Sequence, residues 1–345
     1  MSGWDAPLPA GWSLVYSRSQ ARHYYFCKAT GATQWEAPPA PPPSSSEAGG
    51  PAKRARTEEG GASSSAGDAF DDGEAGDGTA ELGAGGVGMA GVERLLAASE
   101  SARPSSAPLA PPSIIKAHPE SEVTKWLRED LVVNATLRDI FTSERCLDRR
   151  GAAHKFIDGV DPIEGKHLYN CVRENGLART LEVGCAMGTS ALYFCQAFAD
   201  GRGGAHVAID PNQDTQYKSI ARANVERAGL AAHFRVLREP SYLAMPRLLA
   251  RGARFDLVFV DGWHTFDFTL LDMFYAERLL VPNGLLLLDD IQHKGVQKTL
   301  KYVRTNYCHE GGSLELIEDT PAATTMATFR KIKDDTRTWD FHKNF

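Results

Sequence analysis

Apolar and polar positions divide this chain into three stretches with different patterns. From about residue 155 onwards, short apolar runs alternate with segments in which apolar side chains recur every three or four positions. Thr180-Leu181-Glu182-Val183 is a short apolar strand that runs into a turn holding Gly184 and Gly188. Ala191, Leu192, Cys195, Phe198 and Ala199 then follow a helical period with one buried face. Ala205–Ile209 and His233–Leu237 read as two further strands, with a helix near residues 216–228 between them. Phe255–Val260 and Gly284–Leu288 are nearly continuous apolar runs, as expected of central parallel strands covered on both faces. Phe268, Leu271, Phe274, Tyr275 and Leu279 sit at helical spacing, residues 295–302 read as another helix, and Leu314–Ile317 with Met326–Ile332 as the last strands. Ahead of the sheet, Val123, Trp126, Leu127, Leu131, Leu137, Ile140 and Phe141 predict one or two helices, and a further helix over 165–173 feeds the strand at 180. Strand and helix alternate in the manner of an α/β fold with helices on both faces of a sheet.

The N-terminal stretch has a different period. Leu8–Trp12, Arg22–Phe26 and Ala32–Pro38 predict three short strands bounded by turn residues, with Trp12, Tyr25 and Pro38 supplying the small core. Successive strand residues point to opposite faces, so Tyr24 and Trp35 lie together on the face away from Tyr25. Between the two patterned stretches, Pro, Ala, Gly and Ser dominate and large apolar side chains are nearly absent. Such a stretch buries too little to offset its chain entropy. Residues 40–115 are therefore expected to be a disordered linker, with at most a short helix near Val92–Ala98, between units at 7–39 and 116–345.

The formal net charge of −6 argues against unspecific nucleic-acid binding by the whole molecule. The six cysteines, Cys27, Cys146, Cys171, Cys185, Cys195 and Cys308, contain no C-x-x-C pair and no metal-type spacing, so they are expected to be reduced thiols. No N-terminal apolar segment and no run of 18 apolar residues points to secretion or a membrane span. The expectation is a soluble intracellular protein. Lys53-Arg54-Ala55-Arg56 reads either as a minimal nuclear import signal or as a solvated charge cluster, which leaves cytoplasm and nucleus both open.

Spacing narrows the ligand of the glycine turn. A strand, tight turn and helix open a βαβ unit, whose ligands bind outside the carboxyl ends of the strands. Position 186 is Ala, so the G-x-G-x-x-G dinucleotide pattern is not met, and no Gly-Lys-Ser/Thr of a phosphate loop follows. What remains is Glu182-x-Gly184-x-x-x-Gly188-x-Ser190, whose carboxylate suits a cationic ligand such as S-adenosylmethionine. Asp210 ends the next strand and reads either as an acceptor for ribose hydroxyls or as a helix cap. Asp261 ends one central strand and Asp289-Asp290 the next, so two strands deliver carboxylates to one edge. Oxygen ligands of this kind suit Mg²⁺ or another hard cation. His264, three residues past Asp261, has a pKa suited to a general base, or else caps the helix that follows.

These residues resemble a class I S-adenosylmethionine-dependent methyltransferase over 155–332, of the catechol O-methyltransferase-like and macrocin-type sugar O-methyltransferase kind. The resemblance implies a Rossmann-like sheet with an antiparallel last strand and Asp261, Asp289 and Asp290 as metal ligands. It also places Ser241 and Trp263 beside the adenine, Val160 in a loop touching the cofactor, and His264 where catechol-type enzymes carry a lysine base. Catechol-type enzymes have Asn where this chain has Asp290, whereas the sugar-methylating relatives have Asp-Asp, as here. Residues 7–39 resemble a WW domain, which implies a small three-stranded antiparallel module with a Tyr24/Trp35 slot for a polyproline II ligand, flanked by Thr33. Lys28 stands where the family's usual His helps to read Pro-Pro-x-Tyr. Ser17 and Arg18 are similar to the pair that holds a phosphate in the WW domains of parvulin-type prolyl isomerases.

The expected protein is a metal-assisted O-methyltransferase that a WW domain brings to proline-rich or phospho-Ser/Thr-Pro partners. A small hydroxylated molecule would be its substrate, and the homodimer frequent among sugar O-methyltransferases is one open arrangement. Two alternatives stay open: a nuclear RNA or protein methyltransferase recruited through the WW domain, and a non-catalytic adaptor that binds cofactor.

Overall fold

The computed structural model describes residues 12–17, 22–27, 32–34, 85–102, 130–317 and 324–345. At the N-terminus, β1 (Trp12–Ser17), β2 (Arg22–Cys27) and β3 (Ala32–Gln34) form a three-stranded antiparallel sheet in which Tyr25 is buried. Leu14 faces Tyr25 and Val15 faces Tyr24 across β1 and β2, while Phe26 faces Thr33 across β2 and β3. The first strand starts at Trp12 rather than ending there. The two-residue alternation of Trp12, Leu14 and Tyr16 with Ser13, Val15 and Ser17 begins only after the turn-forming Pro9 and Gly11.

The large unit carries α1 (Gly85–Ala98), α2 (Ala135–Ser143), the short pair β4 (Arg145–Leu147) and β5 (Ala153–Lys155), α3 (Pro162–Asn175), β6 (Arg179–Val183) and α4 (Thr189–Ala199). There follow β7 (Ala205–Ile209), α5 (Ile220–Arg227), β8 (Phe234–Leu237), α6 (Ser241–Ala250), β9 (Phe255–Val260) and α7 (Phe266–Leu279). The chain closes with β10 (Leu280–Leu288), α8 (Lys294–Asn306), β11 (Leu314–Ile317) and β12 (Ala327–Lys331). Seven strands make one sheet in the order β11-β12-β10-β9-β6-β7-β8. Strands β6 to β10 run parallel, and β12 lies antiparallel between β10 and β11. The order reverses at β6, which pairs with β7 on one side and β9 on the other. That reversal is the switch point at which open α/β sheets bind ligands.

Strand alternation sorts the core into two faces. Leu181, Val183, Val207, Ile209, Val258, Val260, Leu286 and Leu288 pack with Met89, Met245, Met273 and Val303 of α1, α6, α7 and α8. Leu257, Phe259, Leu285 and Leu287 pack on the other side with Leu137, Leu168, Phe194 and Ile220 of α2, α3, α4 and α5.

Within the expected linker, residues 85–102 are ordered against the sheet. Helix α1 spans Gly85–Ala98, longer than the short helix expected, and it buries Met89, Val92, Leu95 and Leu96 with the sheet residues Val207 and Leu237. Four glycines in this helix each cost helix propensity, and burial of the apolar stripe outweighs them. Arg179 at the start of β6 fastens the end of α1: its Nη2 donates to the Leu96 carbonyl at 2.7 Å, its Nε to Ser99 Oγ at 3.1 Å, and it pairs with Glu100. At the other end of the chain, the tail lies over α7 and α8 rather than on a strand edge. Asp335 pairs with Arg278, the Arg337 guanidinium lies 3.8 Å from the Tyr307 ring centre, and Phe345 packs edge-on against Tyr302. Among the described residues no helix is long and apolar enough to cross a membrane.

Candidate active site

The glycine turn is built from close approach. Gly184 follows β6 at φ +87°, and a Cβ there would lie 1.9 Å from the Asp261 carbonyl oxygen after β9. Gly188 precedes α4 at φ +83°, where a Cβ would meet Ala221 at 2.8 Å. Between them Ala186 takes φ +44°, the left-handed conformation that a glycine would adopt freely. Asp210 holds the strained backbone in place: its carboxylate accepts from the Ala186 N–H at 2.8 Å and the Cys185 N–H at 3.2 Å. It also accepts from the Asn212 N–H at 2.8 Å and Gln213 Nε2 at 3.0 Å. Three of these donors fall on Oδ2 and one on Oδ1, so Asp210 anchors the turn through Oδ2 while Oδ1 keeps room for a further donor such as the ribose hydroxyl expected there.

Glu182 lies elsewhere than expected. Its side chain is fully buried on the α4 face of β6, with one oxygen 3.1 Å from His206 Nε2, and His206 Nδ1 lies 2.8 Å from Thr180 Oγ1. Strand alternation turns Glu182 into the core beside its neighbour on β7, so it supports the turn from beneath and does not meet a ligand.

The carboxylates at the cleft come partly from residues that sequence reasoning passed over. The loop before α3 crosses the turn, with the Ile157 N–H 3.5 Å from Met187 Sδ. It carries Asp158 at φ +49°, whose Oδ2 accepts from Tyr217 Oη at 3.2 Å. Burial first, then the charges of Asp158, Asp210 and Asp261, push the Tyr217 phenol above its ordinary range. Asp158 thus contacts the phenol directly, and the charges of Asp210 and Asp261 reach it. Val160, named from the resemblance, is a core residue of the same loop, 1% exposed. The adjacent Asp158-Gly159 pair was the available signal for a turn there. Against the same loop, where a Cβ on Gly159 would lie 2.4 Å from Thr189 Oγ1, α4 begins at Thr189 with no side-chain cap, and the Thr189 hydroxyl is buried without a hydrogen bond. Uncapped N–H groups and convergent carboxylates suit a ligand that carries both a carboxylate and cationic centres, as S-adenosylmethionine does.

The second half of the site is the edge at the ends of β9 and β10. Asp261 follows β9, and its N–H donates to the Val183 carbonyl at 2.9 Å. Asp289 follows β10 and is buried; its Oδ1 accepts from the Asp290 N–H at 2.7 Å and from Thr325 Oγ1 at 3.0 Å. The same hydroxyl lies 2.9 Å from Glu164 on α3. Burial, then the charges of Glu164, Asp261 and Asp290, raise the Asp289 carboxyl well above the ordinary range. His264 Nε2 stands 2.9 Å from Asp290 Oδ2 and 3.6 Å from Asp261 Oδ1, and His293 Nε2 stands 3.9 Å from Asp290 Oδ1. Burial lowers the His264 pKa, but its contacts with Asp261 and Asp290 outweigh this and carry it to about 10. At neutral pH the isolated edge therefore holds an imidazolium, not a base. Asp261, Asp289, Asp290 and His264 are brought together as expected, and His293 and Glu164 join them. An excess of carboxylate in a partly buried edge, with Asp261, Asp289 and Asp290 close together and Glu164 behind them, fits a divalent cation.

The residues expected at the adenine behave differently from one another. Ser241 opens α6, is 9% exposed, and hydrogen-bonds to the buried Asp272. Trp263 is 65% exposed. Ser190, in the first turn of α4, is buried. In the small sheet, Ser17, Tyr24 and Thr33 lie on the described strands, whereas Arg18 and Trp35 lie outside the described residues.

Residues 181–291 match the family model of a methyltransferase domain. A curated catechol O-methyltransferase of Niastella koreensis is 26% identical over 140 residues, covering 39% of this chain and 59% of that protein. The chain thus spans about three fifths of the relative's length. Solved structures of similar shape include an O-methyltransferase from Bacillus cereus in complex with SAH, at 19% identity and a TM-score of 0.42 over 51% of this chain and 83% of that one. Another is the O-methyltransferase TomG from Streptomyces achromogenes, in complex with SAM, at 21% identity and a TM-score of 0.42 over 51% of this chain and 82% of that one.

Proposed function

We propose that this protein transfers the methyl group of S-adenosylmethionine to a hydroxyl oxygen held at the Asp261–Asp289–Asp290 edge, with a divalent cation bound there. The observation that carries this reading is that Asp261 is shared: its carbonyl oxygen closes on Gly184 of the glycine turn, and its Oδ1 lies 3.6 Å from His264 Nε2 at the edge. A methyl donor in the cleft and an oxygen at the edge would therefore meet across one residue. The reacting groups would be held close and oriented, which is the main demand of a displacement in which the C–O bond forms as the C–S bond breaks.

Bound S-adenosylmethionine supplies an electrophilic methyl group, and a bound cation lowers the pKa of the hydroxyl and orients it. The uncapped start of α4 would take the methionine carboxylate, and Asp158 and Asp261 would face the cationic groups. Trp263 offers an exposed plane for adenine, with Ser241 at the start of the neighbouring helix. At the edge, Asp261 is the candidate acceptor of the hydroxyl proton, joined by His264 once a bound cation displaces the proton that the carboxylates hold on it, and Asp289 is held in place by Thr325. The substrates best matched are vicinal diols and sugars, whose two oxygens can occupy adjacent positions around one cation.

The N-terminal sheet adds a second proposal, that it is a WW module which brings the enzyme to proline-rich or phospho-Ser/Thr-Pro partners. It rests on the three antiparallel strands and the burial of Tyr25.

Calorimetric titration of S-adenosylmethionine with and without Mg²⁺, on the full chain and on the Asp289→Ala/Asp290→Ala double variant, tests the enzyme reading. Cofactor heat in both proteins, with turnover of diols lost only in the variant, is the expected result. Cofactor binding with turnover indifferent to the double variant and to chelators would remove the cation from the reaction, and absent cofactor heat would remove the enzyme.

A further inference from the structure

The sequence marks the edge as an all-oxygen site, but the fold adds nitrogen to it. The Asp290-Ile291-Gln292-His293 turn closes with the His293 N–H donating to the Asp290 carbonyl at 2.9 Å, which brings the His293 ring back over Asp290. Gly295, one residue into α8, lies so close to the loop after β9 that a Cβ would sit 2.4 Å from the His264 carbonyl oxygen and 2.9 Å from the Phe266 N. That approach stacks the His264 and His293 rings, with centres 4.9 Å apart and planes 21° apart. Asp290 lies between them at φ +55°, a left-handed conformation costly for a residue with a side chain. Its Oδ2 is directed at His264 Nε2 and its Oδ1 at His293 Nε2.

We infer that Asp290, His264 and His293 form a mixed nitrogen–oxygen site for a divalent first-row transition metal, in preference to Mg²⁺. One donor atom from each residue falls within 4.8 Å of the other two. Ligands about 2.1 Å from one ion lie about 3.0 Å apart when adjacent and about 4.2 Å apart when opposite. His264 Nε2 lies 2.9 Å from Asp290 Oδ2 and His293 Nε2 3.9 Å from Asp290 Oδ1, so the carboxylate borders both rings and a small side-chain rotation brings one donor of each residue around a single ion. His264 Nε2, now 2.9 Å from Asp290 Oδ2, would exchange that contact for the ion. Imidazole suits Zn²⁺, Fe²⁺ or Ni²⁺, whereas Mg²⁺ prefers oxygen and water. This inference rests on the proposed function in taking the edge for a cation site, and it names the ion's class. It also makes His264 a ligand, leaving Asp261 as the acceptor of the hydroxyl proton.

The test uses Co²⁺ as a coloured probe on the metal-free full chain. The expected result is one bound equivalent with the visible absorption of imidazole-ligated cobalt, kept in a roughly hundredfold excess of Mg²⁺ and discharged by an equivalent of Zn²⁺. His293→Gln, at a half-exposed position, should weaken cobalt binding at least about tenfold. Its melting temperature and its calorimetric affinity for S-adenosylmethionine should not change. Equal cobalt affinity in His293→Gln, or displacement by an equal concentration of Mg²⁺, would overturn the nitrogen ligation and leave an oxygen-only cation site. If neither Co²⁺ nor Mg²⁺ binds, the inference and the cation in the proposed function both fall, and cofactor binding is left standing by itself.

Discussion

Asp272 shows how much a single side chain can govern without touching a ligand. It is buried on α7, and its Oδ1 has no hydrogen-bond partner. Burial raises its pKa to about 7, with the Ser241 hydroxyl working in the opposite direction. The folded protein therefore keeps this proton while the unfolded chain, with an ordinary carboxyl near 3.8, has lost it. Stability from this group is full below about pH 4 and falls as pH rises to about 7, by up to roughly 4 kcal/mol. Asp272→Asn should flatten that loss, so its urea midpoint should gain on wild type by more at pH 8 than at pH 5. A variant weaker than wild type at both pH values would show that the carboxyl has a partner worth more than its burial costs. The same scale shows what a sequence can and cannot display. Gly184 and Asp261 were legible because backbone contact and a strand end leave a pattern in one segment. Glu182 was placed at the ligand because its partner, His206, lies on a neighbouring strand. Two signals went unused: His206 is the polar residue of an otherwise apolar strand, and strand alternation already sends Glu182 to that face.

At the scale of elements, α1 is the part that composition concealed. Gly85–Ala98 belongs to a stretch whose average favours disorder, yet four of its residues complete one face of the sheet and Arg179 ties its end to β6. Averages over tens of residues cannot register a single stripe, whereas the apolar spacing of Met89, Val92, Leu95 and Leu96 does. The strands of the sheet were legible for the opposite reason, since continuous apolar runs such as Phe255–Val260 leave no room for another assignment. Met89, 1% exposed, is the sensitive position. Met89→Ala should lower the unfolding free energy by roughly 2–5 kcal/mol in urea titrations. A chain begun at residue 85 should melt like the full-length protein, and one begun at residue 103 clearly below it. Equal melting of the two truncations would mean that α1 docks without contributing to the fold.

The whole molecule joins a small sheet to a large one through a segment rich in Pro, Ala, Gly and Ser. If the small unit serves delivery alone, the two functions must separate on mutation, because neither unit supplies a residue to the other's chemistry in the reading proposed. Tyr24 and Trp35 are the aromatic pair that would grip a polyproline II ligand, and base-like stacking planes of this kind dominate binding in small modules. Ser17 and Arg18 would add a charge-assisted contact to a phosphate. Trp35→Ala in the full chain should therefore weaken binding of a phospho-Ser-Pro peptide at least about tenfold, as read by fluorescence anisotropy. Turnover of a small diol and the heat of S-adenosylmethionine binding should stay at their wild-type values. Arg18→Ala should weaken the phosphorylated peptide and leave its unphosphorylated form unchanged, which separates phosphate recognition from proline recognition. Loss of diol turnover in Trp35→Ala would contradict independent delivery and would make the small sheet part of the catalytic unit. Equal binding of both peptides by the wild type would leave Ser17 and Arg18 as ordinary loop residues and point to unmodified proline-rich partners.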